Sequence, residues 1–151
     1  MTLRVGTAAA LAIEAVVHWQ NAPAYDAVKA TLSQGELFRA EAVLAVAVGL
    51  LVLIRPRRSS WLAALLVGAS ALGAVLLYRY VDVGVLGPLP DMYESTWQVP
   101  GKLLSAYAEA AAVVLAALGL LTHRGAAPPH EAAGSQAAGA EARSGPRLPT
   151  R

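Results

Sequence analysis

The chain has 151 residues, of which 56% are hydrophobic and only 15% charged, against roughly 25% charged in an average soluble domain. Cysteine is absent, which excludes disulfide scaffolds, thiolate metal sites, cysteine nucleophiles and thiol redox relays. The formal net charge of +2 rests on arginines gathered in one short loop and the C-terminal region, a distribution that marks membrane topology rather than an anionic partner.

Four apolar segments follow one another at about 3–19, 37–54, 61–78 and 103–121, each close to the ~20 residues that cross ~30 Å of hydrocarbon. The first is the most polar, holding Arg4, Glu14 and His18. Arg4, the apolar stretch Val5 to Ile13 and Ala22-Pro23-Ala24 also resemble a secretory signal with a small-residue cleavage site. Glu14 and His18 put charge into the region before that site and lengthen it, which favours a retained helix. The second segment is uninterrupted from Ala42 to Ile54, the third has no charge from Trp61 to Tyr78, and the fourth carries one acid, Glu109.

Arg55-Pro56-Arg57-Arg58 joins the second and third segments, and Arg4 stands at the start of the first, whereas residues 82–101 carry Asp82, Asp91 and Glu94 and no arginine. The positive-inside rule then places both termini in the cytoplasm. Residues 1–124 are expected to form a four-transmembrane-helix, all-α bundle in the cytoplasmic membrane. Residues 125–151, rich in Ala, Gly, Pro and Ser, are expected to form a disordered cytoplasmic tail.

The two outer connections differ in character. Between Gln20 and Gln34, the apolar residues Tyr25, Val28 and Leu32 fall at i, i+3, i+7 and predict a short surface helix. From Val83 to Gly101, glycines and prolines interrupt Leu86, Leu89, Met92, Tyr93 and Trp97, which predicts a turn-rich lid at the interface. Trp19, Tyr25, Phe38, Tyr78, Tyr80, Tyr93, Trp97 and Tyr107 all fall toward the same outer side, leaving Trp61 at the inner one. Such a bias reads either as interface anchoring or as the wall of a pocket. In the third segment Gly68, Ala69, Ser70, Ala71, Gly73 and Ala74 permit close packing on a helix of the same chain or of a second subunit.

Ionisable residues share the outer bias: Glu14 and His18 in the first segment, Arg39 and Glu41 opening the second, Arg79 closing the third, and Glu109 in the fourth. Glu109 lies two turns past Lys102, about 10 Å deep at 1.5 Å per residue. Glu14 and His18, four apart, share one helix face. In a low-dielectric layer such groups must pair, protonate or coordinate a cation. Three readings follow: ion pairs between Arg39 or Arg79 and the acids, which glue the bundle; proton or substrate handling by Glu14 or Glu109; or a divalent metal on Glu14, His18 and Glu109, with Glu41 nearby, a nitrogen and oxygen set that suits zinc, iron, copper(II) or manganese.

His18 at the end of the first segment, Gly35-Glu36-Leu37-Phe38 entering the second, the Arg55 to Arg58 loop, Tyr80 followed by Gly84 and Gly87-Pro88, and Glu109 in the fourth together resemble uncharacterised four-helix integral membrane proteins of high-GC actinobacterial type, over residues 3–122. The resemblance implies the architecture and attention to His18 and Glu109; it implies no reaction.

No phosphate loop, nucleophile elbow or HExxH motif is present, and no basic stretch interleaved with aromatics suits nucleic acid. The expectation is a structural or accessory membrane subunit rather than an enzyme, in contact with lipid and with a second copy or a partner membrane protein. The alternative is a small proton-coupled transporter or metal-binding membrane protein using Glu14, His18 and Glu109. Geometry discriminates: the acids either each meet an arginine or converge with His18.

Overall fold

The apolar segments fold as four α-helices in the computed structural model, which describes residues 1–123: α1 (Thr2–Asn21), α2 (Gln34–Ile54), α3 (Arg58–Tyr80) and α4 (Lys102–Thr122). The tail expected over 125–151 lies outside the described residues. Among the described residues α2, α3 and α4 are long and apolar enough to cross a membrane, which marks a multi-pass membrane protein. Helix α1 has the length, but its polar residues keep it outside that group.

The helix boundaries have local causes. Ser33 caps α2: its hydroxyl accepts from the Glu36 backbone N–H at 3.0 Å, while the Glu36 carboxylate accepts from the Ser33 N–H at 2.7 Å. This capping box starts α2 three residues before its apolar stretch. At the other end Pro56 disfavours helical geometry in the residue before it, and Arg55 leaves the helical region at φ −133°. Ser60 then donates its hydroxyl to the Arg55 carbonyl, which ties the first turn of α3 to the end of α2.

Helix α1 packs along both α2 and α4, α3 packs closely on α4, and of these neighbouring pairs α2 and α3 meet least closely. The interior they share is built from small residues, Ala15, Ala45, Ala64, Ala112 and Ala116, around Leu11, Val52 and Trp61. Large aliphatic residues face outward instead, among them Val43, Leu44, Leu50, Leu62, Leu66 and Leu118. Small residues inside and large ones outside reverse the arrangement of a water-soluble bundle and suit helices solvated by lipid. One close approach needs glycine: a Cβ at Gly119 would enter the ring of Trp61.

The surface helix expected over Tyr25 to Leu32 does not form. A 3-10 turn over Ala22–Tyr25 is followed by bends, because the backbone of this stretch bonds elsewhere: Gln34 N–H donates to the Val28 carbonyl at 2.8 Å, and Leu32 N–H donates to the Pro88 carbonyl of the second connection at 3.0 Å. That second connection is the turn-rich lid expected. Leu86 and Leu89 exchange backbone hydrogen bonds at 3.1 Å, and Glu94 N–H donates to the Tyr78 carbonyl at 2.9 Å, which folds the lid back over the end of α3.

A candidate metal centre beneath the lid

Glu14 and His18 are one turn apart on α1 and both buried, and Glu109 of α4 is fully buried against them. One His18 ring nitrogen and one carboxylate oxygen from each of Glu14 and Glu109 lie within 4.8 Å of one another. Ligands at about 2.0–2.2 Å from a tetrahedral ion lie roughly 3.4 Å apart, so side-chain shifts of about 1 Å close this set on a cation. The Glu41 carboxyl of α2 lies beside that of Glu14.

Two further contacts orient the set. His18 Nδ1 lies 3.0 Å from the Glu14 carbonyl oxygen; with its proton on Nδ1 the ring donates there and keeps a lone pair on Nε2. Ser105, one turn before Glu109, donates its hydroxyl to Glu109 Oε1 at 2.7 Å and leaves Oε2 without a partner. Both oxygens of Glu14 and Oε1 of Glu41 are likewise buried and unpartnered. A backbone or hydroxyl partner on the far side of each ligand is the usual support of a metal site.

The arginines are committed elsewhere. Arg39 forms a bidentate pair with Asp26 at 2.7 and 2.8 Å, and its guanidinium holds the exposed Asp26 carboxyl below its ordinary range. Arg79 lies over the rings of Tyr80 and Trp97, 5.0 and 5.6 Å from their centroids. Lys102 bonds the carbonyl and carboxylate of Glu94 at 3.2 and 3.4 Å. The ion pairs among the described residues are thus Arg39–Asp26 and Lys102–Glu94, and the expected pairing of Arg39 or Arg79 with Glu14, Glu41 or Glu109 is not what the fold makes. Of the residues singled out in the sequence, Glu14, His18, Glu41 and Glu109 come together, while Arg79 and Arg39 do not join them. Ser105 was not foreseen, although its spacing of four from Glu109 puts both on one face of α4.

A cavity of about 490 Å³ opens between this cluster and the lid. His18, Glu41 and Ser105 line it on the cluster side, and Tyr25, Glu94 and Lys102 line it on the lid side. His18, Phe38 and Tyr25 run between the two sides edge to face, with ring centroids 5.0 and 5.2 Å apart. The outer aromatic bias in the sequence is therefore in part the wall of a pocket.

No protein-family model, curated protein or solved structure shows a significant match to this chain. Fold and site together define a multi-pass membrane protein with a buried Glu-His-Glu cluster under a folded lid.

Proposed function

We propose that the chain is a metal-binding protein of the cytoplasmic membrane, spanning it four times with both termini inside, and that Glu14, His18 and Glu109 hold a divalent cation in the outer leaflet. The observation that carries this reading is the convergence of three buried ligand atoms with no cationic side chain paired to them. A charged group at the centre of a membrane helix costs about 2.5–3.5 kcal/mol, and an accumulation of acids without arginine is retained only where protons or a cation neutralise it. One imidazole and two carboxylates suit zinc, iron, copper(II) or manganese and leave coordination positions open for a further ligand. The gluing role expected of ion pairs loses its basis, because the cations of that layer serve the lid and the first connection. The outward aliphatic surface of α2, α3 and α4 supports lipid contact, and the Arg55 to Arg58 loop supports the orientation. The high-GC actinobacterial four-helix proteins remain the proposed kinship.

Metal content of the detergent-purified protein tests this reading, measured after chelator washing and re-addition of zinc, manganese or iron(II). Wild type is expected to retain about one equivalent, and His18→Ala and Glu109→Gln to bind at least ~10-fold more weakly with unchanged helicity. A wild type that takes up no metal, or folded variants that keep it, overturns the assignment.

A further inference from the structure

The cavity between cluster and lid is a second site that the metal centre does not account for. Its wall is mostly apolar and includes Phe38, Val75 and Tyr78. Ser70 and Ala74 of α3 line it and are also exposed on the flank of the bundle, where α2 and α3 meet least closely.

The polar groups on the cluster side decide which head group fits. Ser105 gives its hydroxyl proton to Glu109, and His18 gives its Nδ1 proton to the Glu14 carbonyl. What remains there is an acceptor, the half-buried Glu41 carboxylate in the cavity lining. On the lid side Asn21 bonds the Val17 and Pro100 carbonyls, Tyr25 bonds Glu94 and Lys102 bonds Glu94, while the Gln34 amide and the Tyr78 hydroxyl of the lining bond no side chain or backbone group among the described residues. A ligand with a carbonyl or anionic head finds no donor beside the cluster, whereas an ammonium supplies both the protons and the charge that Glu41 lacks.

We infer that this cavity binds a lipophilic amine in its ammonium form, the head on Glu41 beside His18 and the apolar body between Phe38, Val75 and Tyr78. The site shares His18 with the metal centre, but its head-group partner is Glu41, and Glu14 and Glu109 are not in its lining. The two assignments fail separately.

Binding of 2-(1-naphthyl)ethylamine, followed by its own fluorescence anisotropy, tests the site with the full chain in phosphatidylcholine nanodiscs. Empty nanodiscs give the partition background, and 2-(1-naphthyl)ethanol gives the same body without the charge. Saturable binding of the amine at least ~10-fold tighter than the alcohol is expected, as for a charged hydrogen bond. Glu41→Gln is expected to abolish that preference, and Ala74→Phe, on the exposed flank of α3, to weaken both probes by filling the cavity. Glu109→Gln is expected to lose metal and keep the amine. Absence of saturable binding, equal binding of amine and alcohol, a preference that survives Glu41→Gln, or full binding in Ala74→Phe each overturns the inference.

Discussion

The hydroxyl of Tyr25 donates to Glu94 Oε2 at 2.9 Å, joining the connection after α1 to the one after α3 across 69 positions of sequence. Lys102 bonds the same carboxylate oxygen from the first turn of α4. A lid without helix or strand is thus held at its middle by one carboxylate that two elements share.

Tyr25→Phe removes that tie and is expected to cost about 1 kcal/mol, read as faster hydrogen exchange over residues 82–101 and a lower unfolding temperature in detergent. Burial, then the hydrogen bond to Glu94 and its charge, push the Tyr25 phenol up to about 12. The folded state therefore favours the protonated phenol. Its contribution is complete below the ordinary value near 10 and is lost as pH rises through about 12, so wild type and Tyr25→Phe should converge in stability over that alkaline window.

Glu14 is fully buried with neither oxygen partnered. Glu14→Leu, similar in volume, removes that unsatisfied group and is expected to stabilise the metal-free protein by about 1–3 kcal/mol. The same substitution removes a ligand, so the added stability that wild type gains from metal disappears. Thermal unfolding with and without metal reads both effects, and a metal-free variant less stable than wild type would show that Glu14 is satisfied within the bundle.

Because the chain lacks cysteine, single cysteines report topology without background. Asp91→Cys in the lid is expected to react with a membrane-impermeant maleimide on intact cells, and Arg57→Cys in the arginine loop only after permeabilisation. The reverse pattern would invert the bundle and put the cluster in the inner leaflet.

Two glycines of the bundle predict opposite outcomes. A Cβ at Gly119 meets the Trp61 ring, while at Gly73 nothing lies within 4 Å. Gly119→Ala is expected to lose about 1–3 kcal/mol through overpacking, and Gly73→Ala to gain up to about 1 kcal/mol of helix propensity. Unfolding of both variants in the same detergent checks the contrast.

The helices were legible in the sequence because apolar length is a one-dimensional property, and α2, α3 and α4 differ from the expected spans only by the turns that carry them past the apolar stretch. The Ser33-x-x-Glu36 signature accounts for the early start of α2 and stood in the sequence unused. The convergence of Glu14, His18, Glu41 and Glu109 was legible as a common depth, since residue counting along helices fixes height. What counting cannot fix is lateral partnership. Arg39 is at the right height to meet Glu14 yet turns to Asp26, thirteen residues earlier in a connection without regular structure. The short helix over Tyr25 to Leu32 failed for the same reason: its spacing was correct, but Pro88 from a distant segment offers Leu32 a backbone partner. The small residues of α3 also divide in a way composition does not show, Gly68 against Ala112 of α4 and Ser70 and Ala74 along the cavity.

Helix α1 supplies two of the four clustered groups and is the helix whose composition is least suited to lipid. A segment bearing Arg4, Glu14 and His18 partitions poorly by itself, whereas α2 and α3 enter readily. Its polar face is covered only once α2 and α4 lie beside it. Helix α1 therefore depends on its neighbours for cover, and the cluster it carries is complete only with Glu109 of α4 beside it.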